Sequence, residues 1–200
     1  MSTEKRSITR ELKLHAVLLA TLLAAMWGLE VADALVFAGG LDAYGIRPRD
    51  PDGLWGIAFA PFLHGGFEHL AGNSVPFLAL GWLILLHEVR DFVVASLAAL
   101  VVGGLGTWAV GAPGVHIGAS GIVFGYLGYL LMRGWYRRSL GAVLLSVGVF
   151  ILYGGLLWGV LPGTVGISWE GHLFGFLGGA LAARLLVRRA APEPRLRVSV

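Results

Sequence analysis

Six apolar segments decide what this chain can fold into, because each is long enough, or nearly long enough, to cross a lipid bilayer as a helix. They cover about residues 14–38, 67–86, 92–110, 117–132, 140–160 and 169–187. With 56% hydrophobic and 14% charged residues, the composition excludes an ordinary soluble domain. The pattern predicts an all-α membrane protein: a bundle of six spans over residues 14–189, a short N-terminus at 1–13 and a tail at 190–200.

The distribution of lysine and arginine predicts how the six spans are oriented. Apart from Arg47 and Arg49, every basic residue lies at a segment end or terminus that falls on one side of a six-span topology. Cytoplasmic loops of membrane proteins carry the excess of positive charge, so both termini are predicted to be cytoplasmic. The net charge of +3 is therefore an orientation signal and does not indicate nucleic-acid binding.

Polar residues occur at similar depths in three of these spans. Ser120 lies near the start of span four, His172 near the start of span six, and His69 and Asn73 in the first turns of span two. These three spans start on the same, external side, so the residues lie within roughly 10 Å of depth at ~1.5 Å per residue. Polar groups are costly in lipid and usually mark function. The sequence therefore predicts one polar site near the external surface.

Small residues predict that spans four and six pack closely. Glycine recurs every third or fourth residue on both spans, at Gly121, Gly125 and Gly128 and at Gly171, Gly175 and Gly179. Such stripes let two helix backbones approach each other in a membrane. We expect this contact to bring Ser120 within hydrogen-bond distance of His172.

Ser120 and His172 suit a nucleophile and its general base. A neutral serine is a weak nucleophile, and a histidine that takes its proton activates it near neutral pH. Glu170, the one nearby carboxylate, precedes His172 by two residues and points elsewhere on a helix, so we expect a Ser-His dyad. Attack on an amide creates an oxyanion, for which His69, Asn73 and the Ser120 backbone amide are candidate donors.

Three motifs carry these residues. They read His64-Gly-Gly-Phe-Glu-His69-Leu-Ala-Gly-Asn73, Gly118-Ala-Ser120-Gly121 and His172-Leu-Phe-Gly175-Phe-Leu-Gly-Gly179, in this order along the chain. Together they resemble the motifs of the rhomboid family of intramembrane serine proteases. The resemblance implies a six-span rhomboid-like bundle and a serine endopeptidase in which Ser120 is the nucleophile and His172 the general base. It also implies that His69, Asn73 and the Ser120 amide form the oxyanion hole, with His64 in support.

Two positions depart from the family pattern. Phe124 stands where many relatives have a tyrosine, so a ring can stack on His172 but no phenolic hydroxyl is available. The arginine of the usual Trp-Arg pair in the first loop is not evident, although Arg47 and Arg49 are present. We expect that loop, about 39–66, to lie in the membrane interface and to be anchored differently.

Further polar residues lie outside the predicted site. His15, His87 and His116 are at span ends or in a loop and are expected to be solvated or interfacial. Glu30 and Asp33, late in span one, are expected to bind the first loop or to face water near the outer surface, rather than to take part in catalysis.

Other functional classes fit the sequence less well. A rhomboid-like pseudoprotease, which binds or escorts membrane proteins without cutting them, is the main alternative, but it would usually lack the serine or the histidine. A transporter would show an inverted repeat and a metalloprotease a His-Glu-x-x-His pair, and the sequence has neither. We therefore expect no metal, no cofactor and no nucleic-acid partner.

The expected partners are membrane lipid and single-span transmembrane substrates. A transmembrane helix hides its carbonyls in its own hydrogen bonds, so a substrate must unwind near its external end before it can be attacked. Helix-breaking residues there would lower that cost, and the resemblance implies a small residue before the cut. We expect a multi-pass, integral protein of a prokaryotic cell membrane.

Overall fold

Seven α-helices make up most of the residues that the structure, a computed structural model, describes, namely 3–163 and 166–189. They are α1 (Thr3–Ala32), α2 (Gly56–Phe59), α3 (Phe67–Leu85), α4 (Val89–Val110), α5 (Ser120–Arg137), α6 (Leu140–Tyr153) and α7 (Trp169–Arg189). Within the described ranges the only β-structure is an isolated bridge between Ile46 and His116. The prediction of an all-α protein is confirmed, and the predicted tail at 190–200 lies outside the described residues.

Helix boundaries differ from the limits of the apolar segments. α1 begins at Thr3 rather than near residue 14, because a helix can continue through polar residues outside the apolar run. α5 begins at Ser120 rather than 117, since Gly118 has a φ of +111° that no helix accommodates. The predicted fifth span becomes two pieces, α6 followed by a 3₁₀ helix at Gly154–Val160. Hydropathy marks the apolar part of a helix and does not fix its ends.

α5 forms the centre of the bundle. It packs against α3, α4, α6 and α7, and its residues 122–130 are all buried. The largest of these side chains, Tyr126, is 1% exposed and places its hydroxyl 2.8 Å from the Ser96 hydroxyl of α4. A polar group buried so deeply needs such a partner. The central helix is therefore fixed by apolar packing on all sides and by this hydrogen bond.

Glycine brings α5 and α7 into backbone contact. A Cβ atom at Gly175 would collide with the carbonyl oxygen of Gly121, and one at Gly179 would collide with that of Gly125. On the facing helix, a Cβ atom at Gly128 would meet the carbonyl oxygen of Phe176. The two helices can pack at this distance only because these positions lack side chains.

Three helices in the described residues are long and apolar enough to cross a membrane. They cover Ile8–Phe37, Val89–Val110 and Leu140–Val160. The first and third expose many apolar side chains to the surroundings, among them Leu35 (80%) and Leu152 (77%). Such surfaces suit lipid and not water. The chain is thus an integral membrane protein, while the count of six spans and their orientation remain predictions.

The long segment between α1 and α3 is anchored near its start and near its middle. Near α1, the buried Asp33 carboxylate accepts a hydrogen bond from the Leu41 N–H at 2.9 Å. Near α4, the Arg49 guanidinium donates to the Gly111 carbonyl at 2.9 Å, and the Trp108 indole N–H donates to the Asp50 carbonyl at 2.8 Å. Both anchors bond to backbone groups, and Asp33 binds the first loop.

We expect Gly179→Ala to destabilise the protein and Gly148→Ala to leave it as stable or more stable. The new methyl group at Gly179 would collide with backbone, an overpacking cost of about 1–3 kcal/mol, whereas no atom lies within 4 Å of the corresponding position at Gly148 in α6. Thermal unfolding of both variants in detergent measures the difference. Equal shifts in the midpoint would contradict the assigned α5–α7 contact.

Candidate active site

Ser120 and His172 form a hydrogen bond at one end of the α5–α7 contact. The Ser120 Oγ lies 2.8 Å from the His172 Nε2. Ser120 is the first residue of α5, and His172 lies in the first turn of α7 and is 9% exposed. The structure therefore brings together the two residues that the sequence predicts as nucleophile and base.

A backbone carbonyl orients the His172 ring. The His172 Nδ1 lies 2.9 Å from the carbonyl oxygen of Gly159, in the 3₁₀ helix after α6. A carbonyl only accepts, so Nδ1 carries the proton and Nε2 keeps the lone pair that can accept the Ser120 hydroxyl proton. The bond thus selects the tautomer that a general base requires, without a carboxylate.

Sequence reasoning missed Gly159, because a main-chain acceptor has no residue signature. The glycine itself is the one available signal. A Cβ atom there would lie 3.0 Å from the Phe124 ring and 3.1 Å from the His172 Nδ1, so any side chain would crowd the base.

Phe124 stacks on the catalytic histidine candidate. Its ring centroid lies 4.1 Å from that of His172, and the two planes differ by 5°. Phe124 lies one helical turn after Ser120 on α5, so the same helix positions the hydroxyl and the stacking ring. Stacking and the Gly159 bond together leave the imidazole little freedom to rotate.

The turn before α5 is built around Gly118. Its N–H donates to the Ala60 carbonyl at 2.8 Å, and a Cβ atom at this position would lie 2.7 Å from the His69 ring and 3.6 Å from the Asn73 Nδ2. With a φ of +111° as well, only glycine suits this position. Both oxyanion-hole candidates therefore border the turn that carries Ser120.

His64 supports the same turn from behind. Its Nε2 accepts a hydrogen bond from the Ala119 N–H at 3.2 Å, and the side chain is 1% exposed. Its ring contacts that of His69 edge to face, with centroids 5.1 Å apart. Burial, with a smaller contribution from His69, lowers the pKa of His64 to about 4. A neutral ring is required here, because a protonated Nε2 could not accept the Ala119 N–H.

Five of the predicted site residues line a single cavity of about 700 Å³. Its polar wall is formed by His69, Asn73, Ser120 and His172, with Phe124 beside them. Glu68 of α3 and the segment 112–117 complete it. Of the other predicted residues, His64 and Gly118 belong to the turn before α5. Gly121, Gly175 and Gly179 lie in the α5–α7 contact, where their lack of a side chain lets the helices approach.

Glu170 and His116 tie the loop before α5 to the start of α7. The Glu170 carboxylate, 2% exposed, accepts the Ala112 N–H at 2.8 Å, so it does not orient His172. His116 places Nε2 2.9 Å from the Ala112 carbonyl and Nδ1 2.6 Å from the Ser168 Oγ. The expectation that His15 is solvated is wrong, since it is 8% exposed and lies against the Trp82 ring. The expectation for His116, which is half-buried, stays a prediction.

The comparisons with known proteins match this chain to one family and to several relatives. Residues 51–189 match the family model described as Rhomboid domain. Uncharacterized proteins of Mycobacterium tuberculosis and Mycobacterium leprae are 41% and 40% identical, covering 88% and 90% of this chain and 76% and 74% of their own. The rhomboid protease GluP of Bacillus subtilis is 29% identical over 73% of this chain and 29% of its own.

We expect acid to weaken the fold through His64. Because its folded pKa is lowered, the unfolded chain binds more protons between pH about 4 and 6.5. The His64 contribution is therefore complete above pH 6.5 and is lost as the pH falls toward 4, by at most about 3 kcal/mol. Thermal unfolding midpoints across this range should fall less steeply for His64→Gln, which does not titrate. Identical pH profiles for the two proteins would contradict the assignment.

Proposed function

This chain belongs to the rhomboid family, and from that membership and the geometry of its site we propose that it is an intramembrane serine endopeptidase. The observation that carries the proposal is the 2.8 Å hydrogen bond between the Ser120 Oγ and the His172 Nε2. A serine is activated when a base takes its proton as it attacks, and this bond has the donor and acceptor that the step needs.

The proposed reaction passes one proton through His172. The Ser120 oxygen attacks the scissile carbonyl carbon while its proton moves to Nε2, and the resulting imidazolium keeps its Nδ1–H on the Gly159 carbonyl. His172 then gives the proton to the leaving amine, which leaves an acyl group on Ser120. Water, deprotonated by the same base, releases the acyl group and restores the serine.

Three donors are proposed for the oxyanion. The Ser120 amide is the first of α5, where helix amides lack intrahelical partners. His69 Nδ1 accepts the Gly65 N–H at 3.4 Å, which places the ring proton on Nε2, beside Gly118. Asn73 uses one amide hydrogen on the His69 carbonyl at 3.2 Å and retains the other.

The proposed substrate is a single-span membrane protein with a small residue before the cut. A second cavity, of about 50 Å³, meets the Ser120 side of α5 and is lined by glycines at positions 103, 104, 121 and 171. A space of this size suits a side chain such as that of alanine.

We further propose six spans, cytoplasmic termini and a prokaryotic cell membrane, in which Ser120 lies near the external surface.

We expect Ser120→Ala and His172→Ala each to lower the turnover of a single-span reporter protein at least about a thousandfold. The double variant should be no worse, since the two residues act as one unit. Purified protein in liposomes measures this, with Ser146→Ala as a control whose hydroxyl bonds the Leu130 carbonyl, away from the site. Wild-type turnover by Ser120→Ala would overturn the mechanism. Binding without cleavage by the unmodified protein, across a panel of substrates, would favour the pseudoprotease alternative.

Loss of either side-chain oxyanion donor should act mainly on kcat. We expect Asn73→Ala and His69→Ala to lower kcat about a hundredfold with little change in KM, because these donors would serve the developing negative charge and not the bound substrate. His69→Gln, which can still donate, should recover part of the loss. A change confined to KM would show that the two side chains hold substrate instead.

A further inference from the structure

A polar cavity of about 440 Å³, separate from the two cavities at Ser120, lies at the opposite end of α5. It is enclosed by the turn between α3 and α4, the first turn of α4 and the last turns of α5 and α7. Its lining includes His87, Glu88, Arg90, Asp91, Arg133 and Arg137. The volume is typical of a site for a small ligand. The proposed proteolysis leaves this cavity without a role.

Three arginines from two helices line the cavity. Arg90 comes from α4, and Arg133 and Arg137 come from α5. Within the described residues none of the three forms an ion pair; the one pair found there joins Arg47 and Asp50 in the first loop. Arginines that line one cavity without carboxylate partners are suited to bind a phosphate, which accepts several of their hydrogen bonds at once.

The two carboxylates of the lining do not cancel this charge. Asp91 is hydrogen-bonded within the protein, because it accepts the Tyr129 hydroxyl at 2.5 Å. Glu88 is exposed, as are Arg90 and Arg137, and Arg133 is half-buried. Both carboxylates keep their negative charge, since a hydrogen bond from a neutral hydroxyl does not remove it, but three cationic groups against two anionic ones still leave a net positive site that favours an anion.

His87 lies in the positive field of the arginines, and its Nε2 is a further atom that can bind a ligand. Burial lowers its pKa, Arg133 and then Arg137 lower it further, and only Asp91 opposes them. The ring is therefore neutral near pH 7, and its Nε2 is buried without a hydrogen-bond partner. An anion in the cavity could accept a hydrogen bond from this nitrogen as well as from the arginines.

The position of the cavity in the bundle indicates the source of the anion. The positive-inside prediction places this end of α5 at the cytoplasmic surface, where basic pockets between membrane helices meet lipid headgroups. Leu86, an apolar residue of the lining, is 51% exposed and offers a surface along which acyl chains would continue from a headgroup. We propose that this cavity binds a phosphate-bearing anion, supplied by the headgroup of an anionic phospholipid.

The test compares two double variants that lose equal charge. Arg90→Gln/Arg137→Gln removes two exposed arginines of the cavity, whereas Arg138→Gln/Arg184→Gln removes two exposed arginines that do not line it. Purified protein in neutral detergent is titrated with phosphatidylglycerol, with phosphatidylcholine of the same chains and, separately, with inorganic phosphate. The thermal unfolding midpoint is the readout, and it does not require proteolysis.

We expect phosphatidylglycerol, and not phosphatidylcholine, to raise the midpoint of the unmodified protein. The cavity variant should need at least about tenfold more lipid for half of the shift, and the control variant should match the unmodified protein. Competition by inorganic phosphate at a similar concentration would assign the site to free phosphate instead of lipid, with the same anion chemistry. The proposal is overturned if neither anion raises the midpoint, or if the two double variants lose the same amount.

Discussion

Backbone contact between α5 and α7 is the constraint on which the site depends. The glycine faces let the carbonyls of Gly121 and Gly125 lie where Cβ atoms at Gly175 and Gly179 would otherwise be. At this separation the first turns of the two helices place Ser120 and His172 at 2.8 Å. A hydrogen bond tolerates an error of only a few tenths of an ångström. The distance between Ser120 and His172 therefore depends on how closely the two helices pack.

The proposed base is oriented by main-chain groups rather than by a charge. A buried carboxylate beside His172 would have to be desolvated, at a cost that ion pairing repays only in part. The Gly159 carbonyl is neutral, and it selects the same tautomer. The nearby carboxylate of Glu170 is instead bonded to the loop at Ala112. This division explains how a dyad can function without a third, acidic member.

Much of the site could be predicted from the sequence, and the reasons for the rest are physical. Ser120 and His172 were predictable because polar side chains among glycines at matching depth are rare in apolar segments, and three motifs coincide there. The Gly159 carbonyl was not, since main-chain acceptors are set by tertiary contact. The start of α5 at Ser120 was not either, because the conformation of Gly118 and the His116–Ile46 bridge end the loop, and hydropathy does not sense them.

Hydropathy identifies only some helices of this bundle as membrane spans, and the helices that it misses carry the site. The spans that pass by length and composition are α1 with its continuation to Phe37, α4, and α6 with the 3₁₀ helix that follows it. α3, α5 and α7 carry the polar residues and glycines of the site. The polar residues of the site lower the mean hydropathy of these helices, and they are not all buried: Asn73 and His172 are buried, whereas His69 is exposed. α5 carries Ser120 at its N-terminus and lines the arginine cavity at its C-terminus. Its N-terminus has unpaired amides and a partial positive charge beside Ser120, and its C-terminus has a partial negative charge beside Arg137. One helix direction therefore favours an oxyanion at the Ser120 end and cationic side chains at the other end, where the arginines must outweigh the partial negative charge of the helix itself to bind an anion.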